Sequence, residues 1–167
     1  PFSVSAWIKP DSSSTYYRPA HFSNHSVNNQ YMSVYMETGN GARIEARNTS
    51  EVTSGYTGTI DNGWHHIVAV WNSATDRKLY WDNGTPVTST TSVTLPTINA
   101  FAIGAFYGSS VADYFKGQIN QLGVWSKALS STEISDLYNS GSGQTMIVSS
   151  TKKFQVDTNL SLLGNLL

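Results

Sequence analysis

Residues 115–125 read FKGQINQLGVW, and residues 126–138 continue as SKALSSTEISDLY. In the first segment apolar and polar residues alternate, which predicts a β-strand with one face against a core. In the second segment Ser130 and Glu133 form the Ser-x-x-Glu pattern of a capping box, which predicts that a helix begins there. The apolar side chains of that helix fall on one face, at Ile134, Leu137 and Tyr138. A strand that runs into one short helix is therefore the most specific feature of the chain.

Short strands account for most of the chain before this segment. Period-2 alternation predicts strands over residues 2–10, 31–36, 42–47, 64–71, 78–82, 98–105 and 114–125. Residues 11–30 are rich in Ser, Asn and Tyr and are predicted to form a long loop with one short strand near His21-Phe22. Thr38-Gly39-Asn40-Gly41 and Asp82-Asn83-Gly84 predict hairpin turns, because a type I′ turn needs two residues with positive φ. The whole pattern is typical of an all-β sandwich.

The residue patterns of two of these predicted strands indicate different surroundings. The strand over residues 64–71 is apolar on both faces, which predicts a central strand that is covered on both sides. The strand over residues 42–47 has one apolar face, and its other face carries Arg43, Glu45 and Arg47. A charged face predicts contact with water, as in antiparallel sheets that are covered on one side only.

Composition excludes several classes of function. A chain of 167 residues is long enough for one domain with a proper core. Ten basic and eleven acidic residues give a net charge of −1 with no basic run, so a nucleic-acid partner is not expected. Cysteine is absent, and no apolar run has the length of a membrane span, so neither a thiolate metal site nor membrane insertion is predicted. Few charges, many hydroxyls and amides and 12% aromatic residues are typical of an extracellular β-protein.

Four segments carry a resemblance to a known family. They are FSVSAWIKP over residues 2–10, WHHIVAVW over 64–71, LYWDNG over 79–84 and the strand-to-helix segment over 117–138. In this order they resemble the laminin-G-like branch of the concanavalin A-like lectin/glucanase domain family. The resemblance implies a two-sheet antiparallel jelly-roll sandwich with one short helix near the C-terminus. It predicts a domain over residues 1–143 and a tail over 144–167 that is a final strand, a linker or an oligomer contact.

The resemblance also implies a calcium site at the rim of the sandwich, with Asp113 and Asn120 as candidate ligands. The family usually has a strand before the first matching segment, often with Asp-rich residues that help hold calcium, and this chain begins after that point with Pro1 already in a strand pattern. The chain is therefore expected to be a piece of a longer protein with other domains. The family also tends to place an acidic residue where Asn120 stands. Loss of that charge weakens a calcium site. The resemblance suggests no cofactor other than Ca²⁺.

Catalysis is not predicted, because the carboxylates are not paired. Glycoside hydrolysis uses two carboxylates that flank the scissile bond, and on a strand they would stand two residues apart. No glutamate of the chain has another carboxylate at that spacing, and Glu133 is explained by the capping box. His65 and His66 are adjacent in a strand and point to opposite faces, so they cannot chelate one metal ion together. His66 is predicted to be a hydrogen-bonded core histidine.

The candidate ligand-binding residues are aromatic side chains and the charges near them. Tyr107, Asp113 and Tyr114 lie in a loop between two predicted core strands, where a sugar could stack on tyrosine and bond to polar groups. Trp81 is a further candidate, because it alternates with Tyr80 and one of the two must face outwards. For Arg43 and Arg47 the favoured interpretation is a solvated face with cross-strand charge pairing. The alternative is a groove in which both arginines bind an acidic sugar.

These observations predict a non-catalytic carbohydrate-recognition or adhesion module of a secreted, cell-surface or virion protein, with a glycan or polysaccharide as its partner. The alternative is a structural or protein-interaction domain of an assembly, such as a capsid decoration, a tail fibre or a surface filament, in which the chain would form a homo-oligomer. An open sheet edge would suit that role, because it accepts a strand from a neighbour. A polysaccharide-degrading enzyme of the same fold is the least favoured hypothesis.

Overall fold

The computed structural model describes residues 1–11, 16–27, 29–37, 41–55, 60–108 and 110–144, without the side chains of residues 16, 51, 53 and 54. Its strands are β1 (Phe2–Pro10), β2 (Tyr16–Ser23), β3 (Gln30–Glu37), β4 (Gly41–Asn48), β5 (Ser50–Gly55), β6 (His65–Ser73), β7 (Asp76–Trp81), β8 (Val87–Ser89), β9 (Ala100–Ile103), β10 (Phe106–Tyr107), β11 (Val111–Ala112) and β12 (Gly117–Trp125). One α-helix, α1, covers Ser131–Tyr138, and a short 3₁₀ turn, Asn139–Gly141, follows it.

The strands form the predicted jelly-roll sandwich of two antiparallel sheets. Sheet I has the order β12-β1-β6-β7-β8, and sheet II has the order β5-β4-β3-β2-β9. β10 and β11 pair with each other as a separate hairpin. The main core lies between the two sheets, where Ile8, Val34, Ile44 and Trp71 are almost completely buried. The fold predicted from the sequence is confirmed.

β6 is the central strand of sheet I and is buried on both faces, as its apolar sequence predicts. Ile67 and Trp71 belong to the main core, whereas Val68 and Val70 pack on the other side against Leu129 and Ile134. Helix α1 therefore covers the outer face of sheet I.

The capping box at the start of α1 is present as predicted. Glu133 N donates to the Ser130 hydroxyl over 3.3 Å, and Ser130 N donates to the Glu133 carboxylate over 2.9 Å. Ile134 is fully buried on the helical face that meets the sheet.

The turn between β7 and β8 also has the predicted geometry. Asp82 and Asn83 both have positive φ, at 48° and 56°, and Gly84 N donates to Trp81 O over 2.9 Å. The two positive φ values required by a type I′ turn thus fall on Asp82 and Asn83.

Two predictions about sheet II were wrong. Residues 16–23 form the full strand β2, although residues 11–30 were predicted to be mainly loop. The charged face of β4 does not lie open to water, because Glu45 is only 2% exposed. The reason for the burial of Glu45 is that Arg18 of β2 lies over this face and pairs with it. Residues 38–40 of the predicted turn and the tail from residue 145 onwards lie outside the described residues, so the division at residue 143 stays a prediction.

Candidate functional site

The outer face of sheet II carries the candidate site. The β10–β11 hairpin lies beside β2 at this face and forms one wall of a pocket of about 200 Å³. The other lining residues come from β2, from the segment that joins β2 to β3 and from the start of β3. Apart from Val27 and Gly108, the lining residues have aromatic, imidazole, amide or hydroxyl side chains, and the described ones include no Asp, Glu, Lys or Arg.

The floor of the pocket joins β2 to the hairpin through one carbonyl group. Tyr107 O accepts hydrogen bonds from Ser23 Oγ at 2.8 Å and from His21 Nε2 at 3.2 Å. His21 is fully buried, and burial, together with the positive charge of Arg18, lowers the pKa of its imidazole to about 4. The ring is therefore neutral at pH 7. Its other nitrogen, Nδ1, has no hydrogen-bond partner among the described residues.

Aromatic rings build the walls. The Tyr107 ring stacks on His25 with centroids 4.4 Å apart and an interplanar angle of 5°. Phe106 packs against His21 at 4.5 Å and edge-on against Tyr31 at 5.5 Å. Stacked and edge-to-face contacts of this kind hold rings in fixed orientations. The pocket therefore presents a rigid, flat apolar surface beside polar groups.

Amide side chains form a connected rim along the other side. Asn24 Nδ2 donates to Gln30 Oε1 at 2.9 Å, and Gln30 Nε2 donates to Asn48 Oδ1 at 3.0 Å. Asn99 Nδ2 donates to Asn24 Oδ1 at 3.2 Å. Each amide retains donor or acceptor capacity after one or two such bonds. The rim can therefore bind hydroxyl groups without first rearranging.

Behind the hairpin lies a buried ionic cluster that sequence reasoning missed. The Arg18 guanidinium bonds to the Glu45 carboxylate, to the Ser33 hydroxyl and, through Nε, to Asp113 Oδ2 at 3.1 Å. It also lies over the rings of Tyr35 and Phe106, at 4.9 and 5.1 Å from their centroids. The cluster fixes the hairpin to sheet II.

The pKa of Arg18 is set by opposing influences of this environment. Burial lowers the pKa of the guanidinium, but the charge of Glu45 and the bonds to Glu45 and Asp113 more than offset it and raise the pKa above its usual value. No local motif marks Arg18 for such a role, because its partners lie far away in the sequence.

The structure brings some of the predicted ligand-binding residues together. Tyr107 lines the pocket, and Asp113 lies behind it, bonded to Arg18. Tyr114 is 61% exposed next to the hairpin but does not line the pocket. Arg43 and Arg47 share the outer face of sheet II, where Arg43 Nε lies 3.5 Å from Glu37 Oε2 and Arg47 Nη1 donates to the Tyr31 hydroxyl at 3.4 Å.

Trp81 does not lie where the sequence placed it. Its side chain belongs to the main core and is only 8% exposed. Its ring packs on His65 with centroids 4.5 Å apart. β7 turns Tyr80, rather than Trp81, toward the helix side of sheet I. Trp81 therefore offers no open ring face to a ligand.

The residues proposed to bind calcium do not fit that ion. The Asp113 carboxylate is bonded to a guanidinium, and Asn120 lies in the opposite sheet, where its Oδ1 accepts from Gln121 N at 2.8 Å. A cation at Asp113 would lie beside the positive charge of Arg18. The described part of the chain also contains no group of three His, Asp or Glu residues able to hold a metal ion.

Comparisons with known proteins agree with this architecture. The family model described as the concanavalin A-like lectin/glucanases superfamily matches residues 1–135. No curated protein sequence matches significantly. Within the described residues, no helix is long and apolar enough to cross a membrane.

Several solved structures share the fold at low sequence identity. The CBM40 domain of the Ruminococcus gnavus IT-sialidase bound to α2,3-sialyllactose has a TM-score of 0.68 and 15% identity, over 80% of this chain and 79% of that one. Domain 4 of an extracellular arabinanase from Geobacillus stearothermophilus, in complex with arabinotriose, has a TM-score of 0.64 and 20% identity, over 81% and 65%. A heptameric SAP-like pentraxin from Limulus polyphemus has a TM-score of 0.64 and 17% identity, over 81% and 68%.

Proposed function

The chain belongs to the concanavalin A-like lectin/glucanase superfamily, and from this premise we propose that it is a non-catalytic carbohydrate-recognition module of an extracellular, cell-surface or virion protein. The observation that carries the proposal is the pocket on sheet II, where a fixed aromatic wall faces a rim of amides. Sugars present apolar C–H faces and a ring of hydroxyls, and they bind by stacking on aromatic rings while the hydroxyls bond to polar groups. Two of the similar structures described above were solved with oligosaccharides.

Tyr107 is the residue through which the module would hold its ligand. Its ring is fixed by His25, and its backbone carbonyl is bonded to the floor of the pocket independently of the ring. A hydrolytic role has no support at this site, because the part of the lining that the structure describes contains no carboxylate.

The test is a glycan array of the purified protein in Ca²⁺ and again in EDTA, followed by calorimetry on the best ligand. Tyr107→Ala is expected to weaken binding about tenfold, which corresponds to a stacking contribution of about 1.4 kcal/mol. Tyr107→Phe, which retains the ring, should bind much more tightly than Tyr107→Ala. The matched control is Trp64→Ala, which removes a 41% exposed aromatic side chain just before a strand of sheet I and should leave affinity unchanged. If Tyr107→Ala and Trp64→Ala lose the same amount of affinity, the ligand does not bind in the sheet II pocket.

A second candidate function is a protein-interaction domain of an assembly. β9 is an edge strand of sheet II, and its Phe101 and Ile103 are 41% and 55% exposed. An exposed apolar edge strand can accept a strand from a partner. A blank glycan array from folded protein, together with a homo-oligomer detected by light scattering, would favour this function over carbohydrate recognition.

A further inference from the structure

We propose that the ligand of the sheet II pocket is an uncharged saccharide, and not a sialylated, uronic-acid or sulfated glycan. This inference rests on the carbohydrate-binding function proposed above. It concerns the class of sugar, which neither the family nor the similar structures decide, since those structures hold both a sialylated and a neutral oligosaccharide.

The first argument is the absence of a free cation at the pocket. Proteins usually recognise carboxylate and sulfate groups with arginine or lysine, often through paired hydrogen bonds. Neither occurs among the described residues that line this pocket. An anionic group placed there would lose its hydration without gaining a charged partner, which is costly in a partly buried site.

The second argument concerns the arginines of the same sheet face. Arg18 is buried and already bonded to two carboxylates, Glu45 and Asp113. Arg43 is paired with Glu37, and Arg47 bonds to the Tyr31 hydroxyl. An acidic sugar would have to displace these partners. A groove in which Arg43 and Arg47 bind an acidic sugar is therefore disfavoured.

The third argument is the hydrogen-bonding state of His21. A carbonyl oxygen can only accept, so the contact between His21 Nε2 and Tyr107 O requires that Nε2 carries the proton. In a neutral imidazole the other nitrogen, Nδ1, then carries a lone pair and acts as an acceptor. This buried nitrogen has no partner among the described residues.

Nδ1 is closed to solvent and His21 is fully buried, so a ligand in the pocket does not contact this nitrogen. The neutral imidazole therefore offers neither a positive charge nor a hydrogen bond to an ionised carboxylate or sulfate. The amide rim is also uncharged, and its donors and acceptors suit sugar hydroxyls. The described residues of the pocket thus include no group that favours an acidic ligand over a neutral one.

The test uses a glycan array of matched pairs that differ only by one sialic acid, uronate or sulfate, with lactose and sialyllactose as one pair. Calorimetry on the best pair then compares NaCl at about 50 mM and about 500 mM, a range over which exposed charge–charge attraction is strongly screened. We expect the neutral member to bind at least as tightly as the acidic one, with an affinity that changes less than about twofold across this range.

Other outcomes overturn the inference in distinguishable ways. Binding confined to acidic members, or an affinity that falls steeply with salt, would refute the uncharged class but leave carbohydrate recognition standing. An array without any binding would refute both. Val27→Lys adds a cation at a lining position that is 44% exposed, and it should shift preference toward the acidic member by several-fold. If this variant leaves the preference unchanged, the ligand does not occupy the pocket and the inference fails.

Discussion

His65 and His66 are neighbours in β6, but their environments shift their pKa values in opposite directions. His65 Nδ1 lies 2.7 Å from Asp82 Oδ2 and its Nε2 lies 3.0 Å from Asp61 Oδ1. The hydrogen bond to Asp82 is the largest influence, and the pKa of His65 is raised. His66 is buried with its Nε2 2.8 Å from Ser5 Oγ, and burial lowers its pKa to about 4.

An NMR titration of the two imidazoles should therefore show His65 protonating above its ordinary pKa of about 6.5 and His66 well below it. The two rings then make the stability of the fold change with pH in opposite directions. His65 stabilises the fold fully below about pH 6.5, and this contribution is lost as the pH rises through its folded pKa. His66 stabilises the fold fully above about pH 6.5, and this contribution is lost as the pH falls towards its folded pKa.

Asp82→Asn is the control variant for this prediction. Asparagine tolerates the positive φ of position 82 and can still accept from His66 N through its side-chain oxygen. It removes the negative charge, so the pKa of His65 should fall towards its ordinary value while that of His66 stays low. Two imidazoles that titrate together near pH 6.5 would contradict the assignment.

The sequence predicted only part of this residue-scale chemistry. The burial and hydrogen bonding of His66 followed from its place in a strand that is apolar on both faces, and both are confirmed. The bonds from His65 to Asp61 and Asp82, and those from Arg18 to Glu45, depend on which strands are neighbours and in what register. Alternation of residue types identifies the face of a strand but does not identify its partner.

At the scale of elements, the β10–β11 hairpin is the part of the fold on which the pocket depends most. It has only two residues in each strand, and Asp113, next to β11, ties it to Arg18 by a backbone bond of 3.2 Å and a side-chain bond of 3.1 Å. Asp113 therefore acts as a positioning residue for Tyr107.

Asp113→Asn should weaken glycan binding several-fold and destabilise the fold by less than about 1 kcal/mol, because the carboxylate is partly exposed and solvent screens its ion pair. Asparagine accepts the positive φ of 47° at this position. Asp76→Asn is the matched control, since it removes a carboxylate 3.5 Å from Lys78 on sheet I and should not change affinity. Calorimetry and thermal melts measure both effects. Wild-type affinity in Asp113→Asn would show that this ion pair does not position the hairpin.

β2 is a strand that the alternation of residue types did not predict. Its core-facing residues include Tyr17, Ala20 and Phe22, and its register against β3 shifts between Tyr17 and Ala20. A bulge of this kind inserts a residue and breaks the period-2 pattern from which strands are predicted. Strands without such a shift within their apolar run, such as β4 and the buried part of β6, were predicted correctly. The pocket was only partly predicted, through Tyr107, because its floor lies on β2.

At the scale of the whole molecule, Trp71 joins the two sheets. It lies on β6 in sheet I, is fully buried, and its indole Nε1 donates across the core to Glu45 O of sheet II at 3.1 Å. Its ring stacks on Phe2 with centroids 4.7 Å apart and contacts Phe22 edge-on at 6.2 Å. Trp71 thus hydrogen-bonds the backbone of β4, the strand that carries Glu45 of the ionic cluster, to sheet I. The same residue therefore stabilises both the core and the strand behind the site.

Trp71→Phe should lower the free energy of unfolding by about 2–4 kcal/mol, because it leaves a cavity in a close-packed core and removes a buried hydrogen bond. Trp64→Phe, at a 41% exposed position, should change it by less than about 0.5 kcal/mol. Urea unfolding followed by far-ultraviolet circular dichroism measures both. If the sheets depend on each other as this contact requires, Trp71→Phe will shift one cooperative transition without splitting it. A variant that unfolds in two steps would instead show that sheet II, with its pocket, is stable without sheet I.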